Sequence, residues 1–193
     1  MFVREAAPDY GKQYKSIEEY LEIENASTEK HEYYKGEIFN MSGAKLPHNN
    51  VAGNLYYQFR SKLNGKPCRP YNSDTRVHIE KNTLFTYPDL TIVCGEPETL
   101  NNDNISILNP TLLAEVLSPS TANYDRGSKF MLYRAIPSLK EYVIADPETR
   151  SIESWFVNST GHWELRTYSG TDTFHSYSLD IDIPLADIFE GLE

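Results

Sequence analysis

The stretch that most limits what this chain can fold into is residues 111–117, a short and almost wholly apolar run broken by one acid, Glu115. A run of that length with no polar alternation is typical of a strand covered on both faces. Such a strand belongs to a sheet with helices or a further layer on each side. Its burial makes Glu115 the residue to explain, because an ionised carboxylate removed from water without a partner is costly. Asp89, within Tyr87-Pro88-Asp89-Leu90-Thr91-Ile92-Val93, raises the same question in the preceding strand.

The rest of the chain is consistent with that sheet. Ser16-Ile17-Glu18-Glu19 has the form of a capping box, serine at the cap and glutamate three residues on, and predicts a short amphipathic helix ending near Glu24. Residues 30–34 and 37–41 read as two strands hinged at Lys35-Gly36, a hairpin. Pro47 opens the next helix, in which Val51, Leu55, Phe59 and Leu63 recur every four residues until Asn64-Gly65 stops it. Strands are expected over 72–80 and 84–94, either side of a turn at Asn82-Thr83, and then over 111–117. Ser118-Pro119-Ser120-Thr121 caps a helix from about 122 to 135, and 139–145 is the strand after it, halted by Asp146-Pro147. Residues 151–157 and 163–168 add two strands, and a short helix around 185–189 closes the fold.

From Pro47 onward the order is helix, three strands, helix, strand. A strand–helix–strand unit with its crossover at 122–136 implies a mixed sheet flanked by helices. The expected fold is therefore α/β, one domain over residues 1–193. Its core spans about 47–146, with an N-terminal helix and hairpin at 16–41 and C-terminal strands at 151–183. No linker divides the chain.

Charge and cysteine usage narrow the function. The net charge is −10, from 28 acidic and 18 basic residues. A domain that grips nucleic acid through phosphates alone carries a basic face, so either nucleic acid is not the partner or a bound cation and a local basic patch offset the repulsion; charge alone leans against DNA binding. No apolar run approaches the roughly 20 residues needed to cross a bilayer, and Met1-Phe2-Val3-Arg4-Glu5 lacks the apolar core of a signal peptide. Cys68 and Cys94 are too few for a disulfide scaffold or a cysteine metal cluster, which points to reduced thiols and a cytoplasmic location without membrane contact.

A buried Asp89 and Glu115 can be offset by a proton, an arginine or lysine, or a metal ion. Arg126 and Arg134 on the following helix are available for plain ion pairs. Mg²⁺ is commonly held by one or two carboxylates with waters and substrate phosphate oxygens, which acids on neighbouring strands also suit. The Pro-Asp dipeptide decides nothing by itself, since Pro8-Asp9 is a second instance with no strand around it. Lys129 lies one turn beyond Asp125. It reads as a surface i,i+4 partner of Asp125, or as an ammonium that reaches over the strand end to orient water and offset phosphate charge.

Taken in order, several segments resemble one family. They are His31-Glu32-Tyr33-Tyr34-Lys35-Gly36-Glu37-Ile38-Phe39-Asn40-Met41, His48 at a helix start, the Tyr87–Val93 segment, and Glu115-Val116-Leu117-Ser118-Pro119-Ser120-Thr121 with Asp125, Lys129 and Tyr133 after it. Together they resemble the Uma-type endonucleases of the restriction-endonuclease-like PD-(D/E)XK superfamily, over roughly residues 16 to 190. The resemblance implies Asp89 and Glu115 as metal ligands, the Val116 carbonyl as a third, Mg²⁺ or Mn²⁺ as cofactor, and DNA as substrate. The superfamily's second motif ends in lysine, whereas this chain has Leu117 there; the resemblance moves that lysine to the following helix, to Lys129. Glu32, Glu37, His48 and Asp74 match further polar positions and are candidates to line the site. His48 reads equally as a helix-start residue, and Glu37 as a cross-strand partner on the hairpin. Related nucleases pair to cut two strands, so a homodimer is compatible. Two other classes stand beside the metal-dependent endonuclease: a non-catalytic relative binding nucleic acid or protein, and a structural domain with ion-paired carboxylates.

Overall fold

Ser16 opens the first helix, α1 (Ile17–Ala26), through both halves of the capping box. Its hydroxyl accepts from the Glu19 N–H at 3.2 Å, and the Glu19 carboxylate accepts from the Ser16 N–H at 2.7 Å. The computed structural model describes residues 14–41 and 43–192; Met1-Phe2-Val3-Arg4-Glu5 and Pro8-Asp9 lie outside them. A hairpin follows, β1 (His31–Tyr34) and β2 (Glu37–Asn40), turned at Lys35-Gly36 as expected. The second helix, α2 (Leu46–Lys62), buries Val51, Leu55 and Phe59 completely. Removing each such side chain from water contributes roughly 1.5–3 kcal/mol.

The sequence pattern places continuous strands over 72–80 and 84–94; the structure shortens the first and divides the second. Ahead of the first lies β3 (Cys68–Asn72), a strand the sequence pattern does not predict; after a turn in which the Thr75 N–H donates to the Asn72 carbonyl, the first itself is only β4 (Arg76–Ile79). The second becomes β5 (Leu84–Thr86) and β6 (Leu90–Cys94), separated by Tyr87-Pro88-Asp89. Pro88 has no N–H to continue a ladder, and the two halves lie in different sheets. The strand β3 holds Pro70 without penalty because it is the edge of its sheet.

The remaining strands are β7 (Ser106–Ile107), β8 (Leu112–Val116), β9 (Glu141–Asp146), β10 (Ser151–Val157), β11 (Trp163–Tyr168), β12 (Thr173–Ser176) and β13 (Ile181–Pro184). The larger sheet has the order β11-β10-β9-β8-β6-β3, and only β8 and β9 run parallel in it. The smaller has the order β2-β1-β5-β4-β7. Between β8 and β9 runs the expected helical crossover: α3 (Ala122–Tyr124), a π-helical stretch Asp125–Lys129, and α4 (Phe130–Tyr133). A short α5 (Leu185–Ile188) ends the described fold. The order helix, three strands, helix, strand is present as α2, β3, β6, β8, the crossover and β9, but its first strand is β3 rather than the expected 72–80, whose β4 joins β5 in a hairpin inserted between β3 and β6.

Alternation sorts β8 into two faces. Leu112, Ala114 and Val116 pack toward α2 and α5. Leu113 and Leu117 pack toward the crossover helix and the smaller sheet with Val77, Leu84 and Tyr133. Glu115, between Leu113 and Leu117, therefore faces the crossover helix.

The expectation of reduced thiols is corrected. Cys68 and Cys94 stand directly opposite each other in the β3–β6 register and are joined, with Cα atoms 3.9 Å apart. Twenty-six residues separate them in sequence, and only strand pairing brings them together. The cytoplasmic expectation loses that support. No helix among the described residues is long and apolar enough to cross a membrane.

A second buried acid shows how a carboxylate is held without a cation. Glu141, wholly inaccessible, accepts from the Ser154 hydroxyl at 2.7 Å, the Ser176 and Ser178 hydroxyls at 2.7 Å each, and the Ser178 N–H at 2.9 Å. These bonds tie the β12–β13 hairpin to the larger sheet. Glu141→Ala leaves four donors unpaired and should lower unfolding free energy by about 3 kcal/mol or more, measured by urea denaturation.

Candidate active site

The Tyr87-Pro88-Asp89 crossing delivers Asp89 to the seam between the two sheets. The β6–β8 register pairs Leu90 with Ala114, and one further step along it sets Asp89 opposite Glu115. Residues directly opposite in an antiparallel pair share a face. Asp89 Oδ2 accepts from the Val116 N–H at 2.8 Å, and His48 Nε2 lies 3.2 Å from the same oxygen. His48 is in the first turn of α2, so the start of that helix steadies the carboxylate. Burial opposes a charge on His48, but Asp89 beside it outweighs burial and raises its pKa.

Glu115 is reached from the crossover helix. Tyr133 donates its hydroxyl to Glu115 Oε1 at 2.6 Å, and Lys129 Nζ lies 2.7 Å from the same oxygen. Lys129 is itself only 6% exposed, with Asp125 Oδ1 at 3.6 Å and Glu32 Oε1 at 3.7 Å. Glu32 comes from β1 in the smaller sheet and accepts from the Thr86 hydroxyl of β5. The surface reading of the Asp125–Lys129 pair is therefore overturned, since both side chains are buried and turned inward. Helical spacing of 125, 129 and 133 sets these residues on one side, and the π-helical stretch covers the first two.

Five elements thus converge, α2, β1, β6, β8 and the crossover, bringing together Glu32, His48, Asp89, Glu115 and Lys129 among the residues singled out from sequence. Two candidates fall elsewhere. Glu37 is exposed on the edge strand β2, opposite Tyr34 in the hairpin register. Asp74 is in the β3–β4 turn, where Lys30 Nζ pairs with it at 2.6 Å and its side chain is 74% exposed. Both are polar for reasons of the turn and the edge. The arginine pairing considered for Glu115 is not found: Arg126 pairs with Asp146 and Glu153, and Arg134 makes no ion pair among the described residues. Thr86 and Asp125 belong to the site without having been assigned to it. For Asp125 a signal existed, since it precedes Lys129 by one turn; for Thr86 there was none.

Charge is unbalanced in this seam. Burial, joined by Asp125 and Asp89, pushes Glu115 up to about 8 against the pull of Lys129. Burial also raises Asp125, again against Lys129. Burial by itself would lower Lys129, yet Glu115, Glu32 and Asp125 outweigh it and keep the ammonium well above its ordinary value. One ammonium and one imidazole face Glu32, Asp89, Glu115 and Asp125.

The donor set is all oxygen, which suits a hard cation such as Mg²⁺. Every contact of Glu115 falls on Oε1 and every contact of Asp89 on Oδ2, so among the described residues Oε2 and Oδ1 are open. In a strand the N–H and C=O of one residue point the same way, so the Val116 carbonyl is on the side of Asp89. No group of three or more His, Cys, Asp or Glu side chains among the described residues has metal-holding geometry; two carboxylates and a carbonyl are what remains, a number Mg²⁺ completes with waters. Leu117, where the superfamily motif carries lysine, is buried among Leu113, Phe130 and Tyr133, and the lysine beside Glu115 comes from the helix instead.

Residues 17–185 match the model of the Uma2 family, described as putative restriction endonuclease. Two uncharacterized proteins of Synechocystis sp. are similar. One is 34% identical over 177 residues, 92% of each chain; the other is 33% identical over 160 residues, 83% of this chain and 90% of the relative. The crystal structure of a putative nuclease belonging to DUF820 from Anabaena variabilis superposes with a TM-score of 0.73 at 15% identity, covering 93% of this chain and 99% of that one. That likeness bears on the fold alone, and the α/β architecture with mixed sheets is common to both.

The raised Glu115 predicts a direction for stability. An acid whose folded pKa exceeds its unfolded one costs nothing below the unfolded value and progressively more up to the folded value. With chelator present, Glu115→Gln should gain stability relative to wild type as pH rises from 4.5 toward about 8, measured by thermal melts across that range. A flat difference would show that Lys129 fully offsets the ionised acid.

Proposed function

The chain belongs to the Uma2 family, and on that premise we propose that it is a metal-dependent endonuclease that hydrolyses phosphodiester bonds in DNA. The observation that carries this reading is the crowding of acids around Lys129. A structural ion pair needs one acid for one base. Here three carboxylates lie within 3.7 Å of one ammonium, with Asp89 beside them, and a cation would restore the balance.

Asp89, Glu115 and the Val116 carbonyl would hold Mg²⁺ or Mn²⁺. When bound, the ion would polarise the scissile phosphate and lower the pKa of a nearby water. The chain's own groups do the positioning. The Val116 N–H and His48 hold Asp89 Oδ2 and leave Oδ1 open. Tyr133 and Lys129 fix Glu115 Oε1 and leave Oε2 open. Lys129 stays protonated through neutral pH; its ammonium aligns the attacking water and offsets charge developing on the phosphate. Glu32 and Asp125 hold that ammonium in place. Cutting both strands of a duplex calls for two copies of this site, which a homodimer would supply.

The reading is tested with purified protein on plasmid and linear DNA. Cleavage should require Mg²⁺ or Mn²⁺, fall to background in Asp89→Ala, and drop by about 10²–10³-fold in Lys129→Met. Mg²⁺ should also raise the melting temperature of wild type but not of Asp89→Ala. Cleavage in chelator, or full activity of Asp89→Ala, would overturn the proposal. Metal-dependent stabilisation with no cleavage of any DNA form would leave a non-catalytic relative.

A further inference from the structure

The crossover helix has a second flank. Arg126, Phe130 and Arg134 follow one another at helical spacing, one position round from the residues that enter the site, and face the β10–β11 hairpin. Between helix and hairpin is an open groove of about 630 Å³, lined by Arg126, Arg134, Met131, His162, Trp155 and Trp163. Its floor is Phe130, whose ring centroid lies 4.9 Å from that of Trp155 and 5.2 Å, edge-on, from that of Trp163. The protein's two tryptophans are diagonal neighbours on one face of the hairpin, since Trp163 stands opposite Val157 in the register. Both are half-buried, and Met131 is 63% exposed.

The charge here runs against that of the whole chain. Arg126 is already held by Asp146 and Glu153. Arg134 has no carboxylate partner among the described residues; its guanidinium lies 5.8 Å from the Phe130 ring centroid. In a chain of net charge −10, an uncompensated guanidinium and the His162 ring beside two indoles suit an anion that carries flat rings. Aromatic side chains interleaved with cations are how proteins hold unpaired strands, by stacking bases and pairing phosphates. A duplex hides its base faces and gains nothing from indoles.

We propose that this groove binds single-stranded DNA, with bases against Trp155 and Trp163 and the backbone phosphate against Arg134. The inference rests on the nuclease reading for its choice of nucleic acid, and it places unpaired strand on the flank of the helix that supplies Lys129. The substrate would then include a single-stranded segment, a flap, tail or gap, near the bond that is cut.

The test is a titration of intrinsic tryptophan fluorescence with a short oligothymidylate at low salt, with chelator present so that no cleavage occurs. Saturable quenching is expected, weakened by added salt. Arg134→Glu and Trp163→Ala should each weaken binding by about tenfold or more. A duplex of equal length should bind far more weakly. Arg134 is exposed and makes no ion pair among the described residues, its one hydrogen bond going to the exposed Met131 sulfur at 3.7 Å, so Arg134→Glu should melt like wild type and keeps the test clear of folding defects. Absence of quenching, wild-type affinity in Arg134→Glu, or equal affinity for duplex would overturn the groove. Asp89→Ala should bind the strand as wild type does. Cleavage without quenching would overturn the groove alone; quenching without cleavage under any metal would support the groove and overturn the nuclease.

Discussion

The contact between Lys129 and Glu115 is the interaction on which the rest of the molecule turns. Glu115 is the fourth residue of a five-residue strand in which every residue is buried. The fold answers by burying a lysine against it from the crossover helix, at 2.7 Å. A lone ammonium in that place would be as costly as the acid, so Glu32 from the smaller sheet and Asp125 from the helix itself surround it. The result over-corrects, and the seam keeps a surplus of negative charge. Glu141, one strand away, shows that no such arrangement is required to bury a glutamate, since serine hydroxyls and a backbone N–H suffice there.

The seam exists because the chain changes sheets there. The β4–β5 hairpin is an insertion between two strands of the larger sheet, and its return through Tyr87-Pro88-Asp89 places an acid where the crossing occurs. The same hairpin pairs with β1 through Tyr33 and Phe85, which draws Glu32 to the site from the N-terminal end. Burial of Tyr20 against Tyr33 and Phe85, with ring centroids 5.0 Å from it in each case, then fixes α1 over that sheet. An apparently peripheral hairpin and helix therefore hold one wall of the site.

Much of this was legible locally. Capping at Ser16, the four-residue apolar repeat of α2, and the apolar run around Glu115 are properties of a few consecutive side chains, and each formed the element expected. The alternating stretches on either side of Asn82-Thr83 were misleading for a physical reason. Period-two alternation records that a strand has a buried face but not which sheet covers it, so a strand that leaves one sheet for another reads as continuous. Glu37 and Asp74 were polar and well placed in the family pattern, yet exposure and a turn account for them. From spacing, Asp125 and Lys129 read also as a surface i,i+4 pair, and the burial that decides against it comes from elements distant in sequence.

Taken by itself, the sequence determined the α/β class, the parallel crossover between β8 and β9, and the presence of one acid, Glu115, too deep to be left alone; Asp89 is only partly buried. Those follow from hydrophobic periodicity and desolvation, which act over a handful of neighbours. Only the tertiary structure decided that Leu117 packs into the core while Lys129 arrives from the helix, that Glu32 joins them from another sheet, and that Cys68 meets Cys94. Each of these is a distance between residues far apart along the chain, set by how sheets and helix pack together, and no local pattern encodes it.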